Sequence, residues 1–204
     1  EPEGLVATAA RMARARHGLE VAASDLAKAA LRIDQCDVVL DWPKVASAPE
    51  ELRLRLVAHC LRWISSAPYR PRAKALEDAI AAMSAGRATV LSGCLITAQG
   101  SLRRMTREYQ AVKDLETGAN EIWDGRWQFR GRGDGMIIRA LGEEGLRACP
   151  DWRDGGLPRT SALATPGVWE GGRLVAAPFV GFPNGWRAEP LHPPESFPAS
   201  IISD

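Results

Sequence analysis

The side chains in this sequence best suited to chemistry are cations placed to meet an anion. Arg70, Arg72 and Lys74 crowd the start of an apolar-periodic segment. Cations at a helix N-terminus oppose the helix dipole, at a cost of a few tenths of a kcal/mol. That mismatch is relieved when an anion meets them. Arg103, Arg104 and Arg107 lie on one short stretch, with Arg87 before it and Lys113 after it. Glu108 is the only acid between Arg87 and Lys113, which makes this the most basic part of the chain. A second patch holds Arg126, Arg130, Arg132 and Arg139 against Asp124 and Asp134. Guanidinium groups bind phosphate in a planar, two-pronged fashion, so the chemistry indicated is phosphate recognition. The alternative for each patch is an ordinary solvated basic face.

Other chemistries find no support. Cys36, Cys60, Cys94 and Cys149 are scattered and form no Cys-x-x-Cys, and His17, His59 and His192 have no ligand spacing. Four such thiols suit a reducing cytoplasm without disulfides or zinc. His59 and Cys60 are helical neighbours and do not face each other. No Ser/His/Asp, Cys/His or HExxH arrangement is present. Gly131-Arg132-Gly133-Asp134-Gly135 lacks the Lys-Ser/Thr that would make it a phosphate loop. Its Arg132-Gly133-Asp134 reads as a turn.

The elements that must position these cations follow from periodicity. The chain has 204 residues, 46% hydrophobic and 25% charged, with net charge +1, as expected of an ordinary globular protein of one or two domains. With so little net charge, any nucleic-acid contact must come from local clustering. No apolar run is long enough to span a membrane. The start, Glu-Pro-Glu-Gly, predicts no signal peptide. Leu5 to Ile33 is Ala-rich and predicts a helix with Leu19, Ala22, Ala23, Leu26, Ala30 and Ile33 on one face and a bend at Gly18. Cys36 to Leu40 is a short apolar run ended by Asp41-Trp42-Pro43. Ser47 and Glu50 have capping-box spacing at the head of a helix whose buried face is Leu52, Leu56, Val57, Cys60, Leu61 and Ile64. Arg53, Arg55 and Arg62 lie mostly off that face. A loop over 65–70 leads to a second helix from Pro71, buried through Leu76, Ala79, Ile80 and Met83 and ended by Gly86. Thr89–Thr97 and Ser101–Glu108 predict a hairpin around Gln99-Gly100. Strand parity sends Arg103 and Arg107 to one side and Arg104 to the other.

Residues 114–120 are polar and without periodicity, and predict an exposed linker. The module beyond it runs from Ile122 to Gly181. Asp124-Gly125 and Glu170-Gly171-Gly172 are hairpin turns, because glycine accepts the positive φ such turns need. Leu157-Pro158 opens a short helix. Trp123, Trp127, Trp152 and Trp169 are read as core aromatics. The expected organisation is therefore α+β: a connector helix over 1–34, a helical domain with a β-hairpin over 35–113, a small α+β domain over 121–190 and an irregular Pro-rich tail over 191–204.

These segments, in this order, resemble the C-terminal region of bacterial tRNA(Ile)-lysidine synthetase. Trp123-Asp124-Gly125-Arg126-Trp127, Cys149-Pro150-Asp151-Trp152 and Leu157 to Pro178 carry the more specific part. Leu54-Arg55, Leu61-Arg62-Trp63 and Tyr69-Arg70-Pro71 resemble the helix-loop-helix of the family's preceding domain. The family ligates lysine to the wobble cytidine of an isoleucine tRNA with a CAU anticodon, using ATP. Its catalytic Ser-Gly-Gly-x-Asp-Ser pyrophosphate loop does not occur here, so the resemblance implies a non-catalytic C-terminal piece, starting inside the connector helix, with no cofactor of its own. ATP and lysine would be used by an N-terminal pyrophosphate-loop domain of the same polypeptide. The piece in hand would hold the tRNA and separate it from a methionine tRNA of the same anticodon. Arg70, Arg72, Lys74, Arg103, Arg104, Arg107, Arg130, Arg132, Arg139 and Arg159 would be its RNA contacts. A homodimer is compatible with this reading, and a membrane partner is not expected. The competing reading is a stand-alone cytoplasmic interaction module that binds no nucleic acid.

Overall fold

The computed structural model of the chain describes residues 2–133 and 135–202. Asp134, the end of the expected Arg-Gly-Asp turn, lies outside them. α1 (Pro2–Ala30) runs unbroken through Gly18; residues 4–18 are exposed, and its second half reaches the core through Ala23, Ala27 and Ala30. It ends before the predicted Ile33. Leu31–Asp34 is instead a strand, β1, paired antiparallel with β2 (Asp37–Asp41) around Gln35 at φ 57°. The apolar run 36–40 lies in β2 and ends, as predicted, at Asp41, ahead of Trp42-Pro43. Those residues begin a short helix, α2 (Trp42–Ser47), where proline's missing N–H is not needed. Ser47 is thus already helical, and its hydroxyl donates back to Lys44 O at 2.9 Å. The predicted capping box does not form, and Pro49 sits at the cap of α3 (Glu50–Ser65). α4 (Ala73–Ser84) follows, with Gly86 beyond its end at φ 67°.

The predicted hairpin is three strands, β3 (Thr89–Leu91), β4 (Cys94–Gln99) and β5 (Leu102–Arg107). An additional tight turn at Ser92-Gly93, both with positive φ, divides the first predicted strand. With β1 and β2 they form one antiparallel sheet in the order β1-β2-β5-β4-β3. The first unit is therefore a sheet with α3 and α4 on one face, not helices with an appended hairpin. Its core joins α1, α3 and α4 to Val38, Leu40, Cys94, Ile96 and Met105.

The second unit contains α5 (Tyr109–Val112), β6 (Glu116–Gly118), β7 (Ile122–Trp123), β8 (Trp127–Arg130) and β9 (Ile137–Ala140). It continues with α6 (Gly142–Ala148), α7 (Arg159–Ala164), β10 (Pro166–Glu170), β11 (Arg173–Ala176) and β12 (Arg187–Pro190). Two antiparallel sheets result, β11-β10-β9-β6 and β12-β8-β7. Residues 114–120 are not a free linker. Glu116–Gly118 pairs with β9, and Ala119 is buried. All four predicted core tryptophans are buried, joined by Trp186. The whole is α+β.

The proline-rich tail is also ordered where it is described. α8 (Phe197–Ser200) sends Phe197 and Ile201 into the core of the first unit. Proline does not prevent this, because Pro198 occupies the first turn of a helix.

The hairpin from β10 to β11 turns through Gly171 at φ 56°. A Cβ there would meet nothing within 4 Å, so the cost of Gly171→Ala is that of the backbone alone. It should lower stability by about 1–2 kcal/mol, read from a urea titration. No loss would mean that the turn relaxes to another conformation.

Candidate nucleic-acid interface

The strand arginines are inside the protein. Arg103 is buried on the α4 side of the sheet, giving Nε–H to Met83 O at 2.7 Å and Nη1–H to Gly100 O and Leu102 O, both at 2.9 Å. Arg104 faces the other way, as parity predicts, and meets the second unit rather than helices of the first. It donates to Asp37 at 2.7 Å and Asp34 at 2.6 Å, and Ser161 of α7 donates to Asp37 at 2.6 Å. Arg107 spans to the β7–β8 turn, holding both carboxylate oxygens of Asp124 at 2.8 and 2.9 Å and donating to Gly93 O. The expected phosphate-binding face on this hairpin is corrected on that ground. Arg103 and Arg104 are buried and Arg107 is held in the joint between the units by Asp124, so a phosphate in solvent does not reach these guanidiniums, and β5 lies between two packed layers. Arg126 is likewise buried, donating to Cys36 O at 2.8 Å, and burial pulls it below its ordinary pKa.

The other predicted contacts are dispersed. Lys74 pairs with Asp78 at 2.7 Å, and Arg130 with Glu189 at 3.4 Å. Arg159 pairs with Glu143. Arg139 pairs with Glu144 at 3.0 Å and lies 3.6 Å over the Trp169 ring, half-buried. Arg72 and Arg132 are exposed. These positions form no single site.

What the fold does bring together is a different set that includes Arg70. Arg16 of α1, Arg55 and Arg62 of α3, and Pro68, Tyr69 and Arg70 of the α3–α4 loop line one cleft of about 440 Å³. Among the described residues no carboxylate lines it. Glu20 and Glu51 stand behind Arg16 and Arg55, at 2.5 and 2.7 Å. The loop is held in place by the last turn of α3. Ser66 takes a left-handed φ of 52° at the end of α3, Arg62 Nε–H donates to Ala67 O at 3.2 Å, and Ala67 N–H donates to Ser65 Oγ at 3.3 Å. Tyr69 is left 82% exposed at the rim. Four cations around a projecting aromatic ring are the ingredients for holding phosphates and stacking a base. Sequence reasoning left out Arg16, Arg55 and Arg62. The signal for two of them was present, since Arg55 and Arg62 are two helical turns apart on the polar side of α3.

A second cleft of about 450 Å³ adjoins the first, and Arg62 and Pro68 line both. His59, Trp63, His192 and Ser200 form its inner part. His59 Nε2 lies 2.8 Å from Ser200 Oγ, a Ser–His proximity the sequence did not reveal. Ser200 donates its proton to Phe197 O at 2.7 Å, so the imidazole is the donor to Oγ and this is a structural tie of α8 to α3. The four cysteines are free and buried, and burial pushes the Cys94 thiol up to about 12, so it is no nucleophile at neutral pH. Among the described residues no cluster of three or more His, Cys, Asp or Glu could hold a metal ion, and no helix is long and apolar enough to cross a membrane.

Fold and cleft thus define an α+β protein of two interlocked units with an arginine-rich, aromatic-flanked surface. The chain is 43% identical over 209 aligned residues to a tRNA(Ile)-lysidine synthase of Ruegeria pomeroyi (strain ATCC 700808 / DSM 15171 / DSS-3). All of this chain is aligned, to the C-terminal 49% of that protein. The resemblance to the C-terminal region of tRNA(Ile)-lysidine synthetases therefore extends over the whole chain, which spans about half the length of the curated relative it matches. No protein-family model and no solved structure matches.

Proposed function

We propose that this chain is the tRNA-holding and tRNA-discriminating C-terminal part of a tRNA(Ile)-lysidine synthase, with no chemistry of its own. The observation that carries the reading is the cleft of Arg16, Arg55, Arg62 and Arg70 beside exposed Tyr69. The relative's name supplies the class of nucleic acid. Phosphate contacts of this kind fix register and orientation, and a few contacts to unpaired bases or 2′-hydroxyls supply discrimination. Arg72, Lys74, Arg130 and Arg132 are exposed cations that would extend the contact, whereas Arg103, Arg104 and Arg107 serve the fold. ATP-dependent activation of the wobble cytidine and its ligation to lysine belong to a pyrophosphate-loop domain of the same polypeptide. The tRNA would be an isoleucine tRNA with a CAU anticodon, and the compartment the cytoplasm.

The test is the affinity of the chain for tRNA across a salt series. Each phosphate neutralised contributes about 0.7–0.9 to the slope of log K against log salt. Four arginines in use predict a slope of about −3. A chain that is not retained by tRNA even at low salt would instead be an interaction module without a nucleic-acid role.

A further inference from the structure

We infer that the cleft beside the arginines receives an unpaired nucleobase of the RNA strand whose phosphates the arginines hold. This rests on the RNA reading above and adds to it the feature that is recognised, a single-stranded nucleotide rather than duplex alone.

Four observations lead there. The first is continuity. Arg62 and Pro68 are walls of both clefts, so a strand with a phosphate at the arginines has its next base at the mouth of the second. The second is an aromatic platform set in place beforehand. Trp63 is half-buried, and Phe197 meets it edge-on from the core side, at 5.0 Å and 68°. Its indole needs little further ordering to accept a stacked ring, and every base offers a π-face. His192, exposed and contributed by the tail, stands 5.8 Å from Trp63 at 45°, a tilted ring–ring contact on the lining of the same cleft. The third is polar lining without a carboxylate among the described residues. The Ser66 hydroxyl offers a donor and an acceptor to a base edge, and the tied His59–Ser200 pair makes the inner wall polar. The fourth is the bare wall at Gly125. A Cβ there would come 2.9 Å from Ser66 Cβ and narrow the cleft where the two units meet. At about 450 Å³ the cleft falls within the size of small-ligand sites. A paired base cannot enter, because its faces are covered by its neighbours in the stack.

The experiment compares two probes, a blunt-ended RNA duplex and the same duplex with a short single-stranded overhang. The full chain should prefer the overhang by about fivefold or more, the fold-change that corresponds to the lower end of base–aromatic stacking. His192→Ala and Trp63→Leu should abolish that preference while leaving affinity for the blunt duplex unchanged. Thermal melts confirm folding, and His192→Ala, on an exposed residue, covers the case in which Trp63→Leu does not fold. Photocrosslinking of a thiouridine in the overhang should label the peptide carrying Trp63 or that carrying His192. Equal affinity for the two probes, or a preference that survives His192→Ala with no crosslink at either peptide, overturns this inference and leaves the arginine cleft standing. Failure to bind either probe overturns the RNA reading and this inference with it.

Discussion

Asp37→Ala should destabilise the folded chain by about 3–5 kcal/mol, the range for removing one partner of a buried ion pair. Asp37 is fully buried and accepts from Arg104 at 2.7 Å and from Ser161 at 2.6 Å. Burial by itself works to pull the Arg104 guanidinium down, but its hydrogen bonds to Asp34 and Asp37 outweigh that and hold it above its ordinary value. Without Asp37 the guanidinium stays desolvated with Asp34 as its remaining carboxylate, and the Ser161 hydroxyl loses its acceptor. The effect extends beyond one interaction, because Asp37 and Arg104 lie in the first unit and Ser161 in the second. Urea unfolding at neutral pH measures the loss. A change below about 1 kcal/mol would place the pair with solvent-screened surface ion pairs and remove it as the joint between the units.

Arg55→Ala/Arg70→Ala should give the largest change in RNA affinity. Both residues line the cleft that carries the functional proposal. Each phosphate interaction removed should reduce the salt slope by about 0.7–0.9, so the pair should reduce it by about 1.4–1.8. Arg70 is exposed, whereas the Arg55 side chain is only 16% exposed beside a half-exposed Glu51 at 2.7 Å, so thermal melts check that the double variant is folded. Arg55→Lys/Arg70→Lys keeps the charge and should retain most of the slope while losing the two-pronged geometry. Lys28→Ala/Arg173→Ala, two exposed cations elsewhere, should have a small effect through a screened field. A double alanine variant that is folded and has the wild-type slope would remove this cleft from the RNA surface. Arg104→Ala separates the two roles of arginine in this chain, since it should cost stability and leave the slope of the folded protein alone.

Local chemistry was enough to determine some of this protein. α3 and α4 follow from apolar residues at helical spacing, and Gly86 closes α4 because it accepts a positive φ. Asp124-Gly125 and Gly171-Gly172 make their turns for the same reason, and the bulk of the tryptophans puts them in the core. The family resemblance, carried by motif order, needed no coordinates. Parity along β5 correctly sent Arg104 away from Arg103 and Arg107. Parity says which side of a strand a residue takes, but not what covers that side. Asp34, Asp37 and Asp124 are brought to the arginines by sheet register and by the docking of the second unit, and their separation in sequence gives no hint of it. The same limit applies to 114–120 and to the tail. A polar edge strand is defined by backbone hydrogen bonds to a distant partner, and Phe197 is buried by a surface that exists only once α3 and α1 have packed. The arginine cleft is likewise a product of tertiary structure. Arg16, Arg55, Arg62 and Arg70 come from two helices and a loop, and only the packing of α1 against α3 makes their charges one site.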